Sequence, residues 1–301
     1  MFYKPRLATS ELKLLRLLNA RMNLTGREKQ HYLNLEKGFE GELKFDLLLD
    51  GLTGERLILN DLLLEINNTS FQLDSLMIVQ DTIYTFEIKN MEGEFYYENH
   101  SFHSISGTEI KNPNHQSQRS KILLRQLLKN INLHFPVEAF VIFVNPHFTL
   151  YQAPRELPII LPTQLQSFMT TLASKPSKLN SRHTKLAETL LLEHHNESPY
   201  TRRPAYHYRQ LKKGITCPKC HAFMLKTENR MLMCGSCSWM ENLDSPVMRS
   251  IEEFKLLFPD QKITTRVMVD WCGGDYSDKT IRRILVQNLS LKGYGRWTYF
   301  E

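Results

Sequence analysis

Two neighbouring runs of alternating residues constrain the fold of this chain more than any other feature. Residues 71–79 and 83–88 both place apolar side chains at alternate positions, which is the two-residue period of a β-strand. We therefore predict a hairpin that turns at Gln80-Asp81. Side chains two apart on a strand point to the same face, so Glu87 and Lys89 should project together.

Charged side chains on this hairpin predict a metal site. Asp74 would lie at the same level of the ladder as Glu87, and two facing carboxylates repel each other unless a cation lies between them. Their oxygens are hard ligands that suit Mg²⁺ or Mn²⁺. A Glu-x-Lys pair on a strand is more often a solvated surface pair. The residues around Glu87 are apolar on both faces, however, and charges in a buried strand are costly without a task.

A series of spaced motifs resembles the nuclease-related domain (NERD) family. The motifs run in the order Lys37-Gly-Phe-Glu-Gly-Glu42, Ile58-Leu-Asn-Asp61, Gln72-Leu-Asp74, Phe86-Glu-Ile-Lys-Asn90 with Gly93, and Asn112-Pro-Asn-His-Gln116. That family in turn resembles the PD-(D/E)XK superfamily, which includes restriction-endonuclease-like proteins. The resemblance covers residues 36–150. It implies a restriction-endonuclease-like α/β fold, in which a mixed sheet is flanked by helices.

The resemblance also implies a role for the polar residues of these motifs. Asp74 and Glu87 would hold Mg²⁺ or Mn²⁺, and Lys89 would be the catalytic lysine. Glu42, carried on a helix, would complete the site, and Gln116 would be the polar residue of the following helix. No motif position holds an inert residue, so the resemblance implies an intact site.

Periodicity predicts the other elements of the first part of the chain. Apolar residues at helical spacing favour helices over residues 8–23, 27–50 and 115–133. Alternation favours further strands over residues 56–66, 94–98 and 137–144, and extends the hairpin strand to residues 82–90. Strands interleaved with helices imply a sheet covered by helices. Residues 155–195 look helical, with interruptions at proline.

Charge is divided unevenly along the 301 residues. Residues 1–160 carry a net charge of −2 and residues 161–301 carry +8, which together give the net charge of +6. A basic C-terminal half beside a near-neutral catalytic half indicates that the second half binds nucleic acid. A soluble basic surface without a partner is the alternative.

A basic and aromatic segment follows the first part of the chain. Residues 200–213 contain five basic residues, three tyrosines and no acidic residue. Cationic groups bind phosphates and aromatic rings stack on unpaired bases, so Arg202 and Arg203 are candidate nucleic-acid contacts. The segment fits a plain exposed connector equally well.

Four cysteines predict a structural zinc site. Cys217 and Cys220 form one Cys-x-x-Cys pair, and Cys234 and Cys237 form a second pair after 13 intervening residues. Two such pairs can place four thiolates tetrahedrally around Zn²⁺, which then has no open coordination position. The segment resembles a zinc ribbon. Cys272, the fifth cysteine, is expected to be a small buried hydrophobic residue.

The last part of the chain has the outline of a helix-turn-helix. We predict three helices, over residues 250–258, 263–271 and 278–288, with Gly273-Gly274 between the second and the third. Residues 293–300 would form a wing-like ribbon. Three cations of the third helix would contact DNA, namely Lys279, Arg282 and Arg283. A helical cap packed on the zinc ribbon is the alternative.

We expect five segments along the chain. They are an N-terminal helix in residues 1–35, the nuclease-like domain in 36–150, a helical linker region in 151–213, the zinc ribbon in 214–240 and the helix-turn-helix-like segment in 245–301. No apolar run approaches the ~20 residues that a membrane span needs, and the first residues lack the features of a signal peptide. Paired cysteines favour a metal site over disulfides, so we expect a cytoplasmic protein.

The sequence as a whole predicts a Mg²⁺-dependent phosphodiesterase that acts on nucleic acid, with endonucleolytic cleavage of DNA as the expected activity. The zinc ribbon and the basic C-terminal half would bind the substrate. The alternative is a DNA-binding regulator without catalytic activity, built on a nuclease-like scaffold. A scaffold has no need to keep the three buried charges of Asp74, Glu87 and Lys89, which favours the enzyme.

Overall fold

The chain has a mixed α/β fold that divides into two compact units. The computed structural model describes residues 2–195, 204–227 and 231–301. The first unit consists of the described residues of Met1–Ala8 and Leu33–Thr201, and the second of those of Thr9–Tyr32 and Arg202–Glu301. The five segments expected from the sequence are distributed between these two units.

A six-stranded mixed sheet forms the centre of the first unit. Its strands are β1 (Phe2–Lys4), β2 (Leu57–Ile66), β3 (Thr69–Ile78), β4 (Ile83–Lys89), β8 (Val137–Phe143) and β10 (Ile159–Ile160). Their spatial order is β1-β2-β3-β4-β8-β10. The pairs β2–β3 and β3–β4 are antiparallel, whereas β1–β2, β4–β8 and β8–β10 are parallel. The predicted hairpin is therefore the middle of the sheet.

Helices cover both faces of this sheet. One apolar core contains side chains of α3 (Pro113–Asn130) and α5 (Ser181–Leu192), and the other contains side chains of α2 (Gly26–Asp50) and α4 (Leu165–Ala173). Ile58 belongs to one core, whereas its neighbours on β2 belong to the other, so the two cores lie on opposite faces. Because β4 is enclosed in this way, it is buried at every position except Lys89.

A second sheet of four short strands lies within the same unit. The strands are β5 (Gly93–Glu98), β6 (Ser101–Ser104), β7 (Glu109–Ile110) and β9 (Phe148–Tyr151), in the order β7-β6-β5-β9. They pack around a small aromatic core in which the rings of Phe143 and Phe148 stack at 3.8 Å.

The expectation that residues 155–195 are helical is only partly right. Helices α4 and α5 lie in this range, but it begins with an extended stretch that pairs β10 with β8. Pro154, Pro158 and Pro162 recur every four residues there, and proline removes the N–H that a helix needs at each turn. The prolines therefore exclude a helix from the start of this range.

The second unit is built around one apolar core shared by several short elements. They are α1 (Ser10–Arg21), the antiparallel strands β11 (Met224–Lys226), β12 (Met231–Cys234) and β13 (Met240–Asn242), the helices α6 (Asp244–Leu257), α7 (Thr265–Trp271) and α8 (Asp278–Asn288), and the hairpin of β14 (Leu291–Lys292) and β15 (Tyr299–Phe300). The core contains Leu18 of α1, Leu232 of β12, Phe254 of α6 and Ile284 of α8. The C-terminal helices therefore pack on the cysteine-containing ribbon.

A buried arginine ties α1 into this core. Arg21 donates to Glu253 at 2.6 Å and to the backbone oxygens of Lys212 and Gly214 at 2.9 and 3.0 Å, and its guanidinium lies 4.1 Å from the ring of Trp271. A fully buried charge is tolerated because these partners replace its water.

None of the described helices is both long and apolar enough to cross a membrane.

Candidate active site and metal centre

The register of β3 and β4 brings Asp74 and Glu87 together. Ser75 pairs with Phe86 in the antiparallel ladder, so Asp74 and Glu87 are the next residues along it. Asp74 Oδ2 accepts a hydrogen bond of 2.8 Å from the backbone N–H of Ile88, which lies beside Glu87 on the same strand. The two carboxylates therefore meet at the end of the hairpin, as the alternation of the sequence indicates.

Lys89 completes a group of three charges. Its Nζ donates to Glu87 Oε1 at 2.5 Å, because side chains two apart on β4 share a face. Asp74 and Glu87 are buried, whereas the Lys89 side chain keeps 27% of its surface exposed. The amine is thus the member of the group that solvent or a ligand can reach.

Two negative charges at this site are poorly tolerated. Burial, followed by the charge of Asp74, raises the pKa of Glu87 to about 7. Burial also raises the pKa of Asp74, although the charge of Lys89 and the N–H of Ile88 oppose it. Burial alone would lower the pKa of Lys89, but Glu87 and Asp74 outweigh it and raise that pKa. The site therefore favours a charged lysine and disfavours two ionised carboxylates.

Helix α2 carries Glu42 to the same site. The helix can approach the end of β4 because Gly41 has no side chain, and a Cβ at that position would overlap the side chain of Asn90. Burial, and then the charge of Asp74, raises the pKa of Glu42 to about 8. In this motif Gly41 therefore allows the helix to approach β4 closely, and Glu42 adds an acidic group to the site.

Arg6, which the sequence analysis did not identify, lies in the middle of the acidic group. Its guanidinium contacts Glu42 at 2.8 Å, both oxygens of Asp46 at 2.9 and 3.2 Å, and Asp61 at 3.3 Å. It also donates to the backbone oxygen of Asp74 at 2.8 Å. No local pattern distinguishes this arginine, because its partners are 36 to 68 residues away along the chain.

Gln116 is less closely connected than the resemblance implies. It lies in the first turn of α3, which Asn112 caps, and it is half-buried. The hydrogen bonds of the described residues include none between the Gln116 side chain and Asp74, Glu87 or Lys89. Lys111, just before this helix, is exposed, and its charge acts on the Glu87 carboxyl. The role of Gln116 remains a prediction.

The four cysteines form a second cluster with the geometry of a metal site. Their sulfur atoms all lie within 4.8 Å of one another, with Cys217 and Cys237 at 3.6 Å and Cys220 and Cys234 at 3.4 Å. The N–H of Cys237 is the main cause that lowers the pKa of the Cys234 thiol to about 6. The backbone N–H groups of Ala222 and Trp239 act in the same sense on Cys220 and Cys237, but burial and hydrogen bonds among the sulfurs outweigh them and raise the pKa of these two thiols. The cluster can hold a metal ion such as zinc.

The two Cys-x-x-Cys turns have the same backbone geometry. The carbonyls of Cys217 and Cys234 accept from the N–H of His221 at 3.0 Å and of Ser238 at 2.9 Å. His221 and Ser238 both have left-handed backbone angles, with φ of 60° and 58°. Non-glycine residues adopt this backbone conformation at a cost in conformational energy. The same conformation follows both Cys-x-x-Cys pairs, where the turn brings the two sulfur atoms of each pair into the cluster.

Among the described residues, no other group of three His, Cys, Asp or Glu side chains is gathered as closely as these cysteines. Glu42, Asp74 and Glu87 therefore do not form a closed cage of three carboxylates. Two protein carboxylates with water and substrate oxygens are a common coordination set for Mg²⁺, which keeps several waters.

The basic candidates of the C-terminal segment differ in their surroundings. Lys279 and Arg282 on α8 are exposed and form no ion pair with the described residues. Arg283 donates to Asp244 at 2.7 Å and to Gln287 at 2.6 Å, so part of its charge is already balanced. Arg202 and Arg203 lie outside the described residues.

Comparison with known proteins agrees with the motifs. The family model of the nuclease-related domain matches residues 37–144, which lie within the first unit and include Glu42, Asp74, Glu87, Lys89 and Gln116. This confirms the resemblance inferred from the sequence. No curated protein and no solved structure matches the chain significantly.

Proposed function

We propose that the nuclease-related domain of this chain is a Mg²⁺-dependent phosphodiesterase that cleaves nucleic acid, with DNA as the expected substrate. The observation that carries the proposal is the pair of buried carboxylates, Asp74 and Glu87, whose pKa values are raised and which lie beside the amine of Lys89. The fold buries two carboxyl groups side by side, and burial disfavours the ionised form of both. A cation between them removes that conflict.

The donor set fits Mg²⁺ or Mn²⁺. Asp74 and Glu87 would each supply a carboxylate oxygen, and the hydrogen bond from Ile88 fixes the orientation of the Asp74 carboxylate. When bound, the ion would activate water and offset charge on the scissile phosphate. Glu42 would complete the shell through water or accept a proton, for which a pKa of about 8 is suited.

Lys89 would act as a fixed positive charge. In the metal-free site Glu87 and Asp74 raise the pKa of its amine, which favours the protonated lysine at neutral pH. It would stabilise the negative charge that builds up on the phosphate in the transition state. Gln116 would position the attacking water or the nucleic-acid backbone.

The second unit would bind the substrate. It contains 22 Lys and Arg residues against 12 Asp and Glu residues, a net charge of +10, whereas the first unit has −4. A basic surface attracts the phosphates of nucleic acid. Within this unit the four cysteines would hold a structural Zn²⁺, since four thiolates leave no open position for chemistry. Reduced cysteines suit the cytoplasm, which is the expected location.

A DNA-binding regulator without catalytic activity is the second candidate. The observation that favours it is that Glu42 is paired with Arg6 and does not close a three-carboxylate cage with Asp74 and Glu87. The basic charge of the second unit suits both candidates, so only activity separates them.

A substrate panel separates the two candidates. Purified protein would be incubated with supercoiled plasmid, linear duplex, single-stranded DNA and RNA, with Mg²⁺ or with EDTA. We expect cleavage of at least one DNA substrate with Mg²⁺ and none with EDTA. Binding of these substrates without cleavage under any metal condition would instead support the regulator.

A further inference from the structure

We infer that Arg6 is a permanent counter-ion of the acidic group. Its guanidinium balances the carboxylates of Glu42, Asp46 and Asp61. Only the space between Asp74 and Glu87 is then left for an exchangeable cation. The inference deepens the proposed function, because it rests on the proposal that a divalent cation binds at Asp74 and Glu87. It assigns Arg6 as a positioning residue, since its contacts are with protein groups only.

The guanidinium of Arg6 lies at the centre of three carboxylates. Nε and Nη2 hold the two oxygens of Asp46, and Nη1 lies between Glu42 at 2.8 Å and Asp61 at 3.3 Å. The side chain is only 1% exposed. Three carboxylates thus share one buried guanidinium, which supplies the positive charge that a divalent cation would have to supply in its absence.

Charge balance shows why one guanidinium is not sufficient for the whole group. Five carboxylates belong to it, those of Glu42, Asp46, Asp61, Asp74 and Glu87. Among the described residues, Arg6 and Lys89 form ion pairs with them, and the charges of Lys4 and Lys111 also act on Asp61 and Glu87. Buried charges without a partner are strongly destabilising. An added divalent cation supplies the missing positive charge, and Arg6 restricts it to the Asp74–Glu87 side.

Arg6 also connects the two halves of the group. Its Nη2 donates to the backbone oxygen of Asp74 at 2.8 Å, in addition to its contact with Asp46. The same side chain thus holds Glu42 on α2 and the backbone of β3 at the point where Asp74 leaves the strand. A metal ion in place of Arg6 would balance charge but would not supply this N–H donor.

The test replaces the guanidinium by an uncharged side chain and asks whether a divalent cation takes its place. Zinc-loaded full-length protein would be freed of exchangeable cations, and Mn²⁺ binding and thermal stability would be measured. We expect wild type to bind one Mn²⁺ and Arg6→Gln to bind two. Saturating Mn²⁺ should raise the Tm of Arg6→Gln by about 5 °C more than that of wild type, because the second ion binds only the folded state.

Three variants control for unspecific effects. Arg6→Lys keeps the charge and should bind one ion. Lys4→Gln removes a nearby cation that donates to the backbone oxygens of Asn60 and Asp61, and it should also bind one ion. Arg6→Gln combined with Glu42→Gln removes the cation together with one of its carboxylates. It should be more stable without metal than Arg6→Gln alone.

The outcomes distinguish this inference from the proposed function. If Arg6→Gln is equally unstable with and without Mn²⁺, or binds no more ions than wild type, Arg6 is not a counter-ion in the place of a metal. If wild type binds no Mn²⁺ while Arg6→Gln binds one and is stabilised by it, Arg6 is a counter-ion in the place of a metal, but it does not direct a second ion to Asp74 and Glu87. The proposed ion between Asp74 and Glu87 is then refuted.

Discussion

At the residue scale, the acidic side chains of the site are stabilised poorly when ionised. The pKa values of Glu87 and Glu42 are raised to about 7 and about 8 from 4.5, mainly by burial. A carboxyl with a raised pKa in the folded state binds its proton more tightly there than in the unfolded chain. Its contribution to stability is therefore complete below the unfolded pKa and is lost as the pH rises through the folded pKa.

The direction of these pKa shifts gives the first prediction. Without exchangeable divalent cations, the Tm of the protein should fall by about 5–10 °C relative to Glu87→Gln as the pH rises from 5 to 9, since one pKa unit corresponds to about 1.4 kcal/mol. Adding Mg²⁺ should reduce this fall, because the ion replaces the protons. Thermal melts at each pH check this, and equal pH profiles for wild type and Glu87→Gln would contradict it.

Gly41 gives a second prediction at this scale. A Cβ there would overlap the side chain of Asn90, whereas a Cβ at Gly38 on the same helix meets nothing within 4 Å. Gly41→Ala should destabilise the protein by about 1–3 kcal/mol and slow cleavage, because α2 must move away from β4. Gly38→Ala should be neutral or stabilising by up to about 1 kcal/mol. Denaturant unfolding measures both, and equal effects would show that the close approach is unimportant.

At the element scale, the cysteine ribbon is an integral part of its unit. Cys217, Cys234 and Leu232 are buried in the same core as Leu14 and Leu18 of α1 and the C-terminal helices. The sequence predicts a zinc ribbon over residues 214–240, and a helical cap packed on it is one of the two alternatives for the C-terminal segment. Loss of the metal should therefore loosen the packing of α1 and α6 as well as the ribbon, since two of the ligands are core residues.

The third prediction concerns the metal content. Purified protein should contain one zinc per chain, and Cys220→Ser should lose it, because one of the four thiolates is removed. Cys272→Ala is the matched control, since Cys272 is buried away from the cluster and should not change the zinc content. Elemental analysis of protein prepared without chelator measures this. Zinc-free wild type with a folded second unit would contradict the assignment.

Several long elements could be predicted from the sequence, and the shortest strands could not. The central hairpin, α2, α3 and α8 were expected close to their observed limits, because each contains several periods of its pattern. The strands β6, β7, β9 and β10 have two to four residues, which is too short for a two-residue period to show. They form because neighbouring strands offer hydrogen bonds, and that information is absent from the local sequence.

At the scale of the whole molecule, contacts between distant residues account for what the sequence did not show. Arg6 lies 68 residues before Asp74, and Arg21 lies 232 residues before Glu253. Motif order predicts that Glu42, Asp74, Glu87 and Lys89 belong to one site, but motif order contains no information about an isolated arginine. For the same reason α1 was not expected to share a core with the ribbon.

The fourth prediction concerns nucleic-acid binding by the full chain. The full chain is used because a fragment of residues 200–301 would lack α1, whose Leu18 and Arg21 are fully buried in the second unit. Affinity for duplex DNA should fall steeply with salt. Neutralising Lys279 and Arg282 should flatten the log–log slope by about two, at about 0.9 per phosphate contact.

Matched variants test whether α8 is the contact surface. Lys255 is paired with Glu252, and Lys255→Gln should leave the slope nearly unchanged. Arg283→Gln should affect the slope less than the variants of its exposed neighbours, because Arg283 is paired with Asp244. If all of these variants flatten the slope equally, binding reflects only the net charge of the unit. If the full chain does not bind at low salt, the helix-turn-helix interpretation is wrong.

The central claim is that Asp74, Glu87 and Lys89 perform metal-dependent cleavage, and single-turnover cleavage of the preferred substrate tests it most directly. With Mg²⁺, Asp74→Ala, Glu87→Ala and Lys89→Ala should each reduce the rate by at least about 10²-fold, since each removes a charge needed at the scissile phosphate. Glu138→Gln on β8, an exposed residue outside the site, should cleave like wild type. A triple variant of Asp74, Glu87 and Lys89 that retains the wild-type rate would contradict the account.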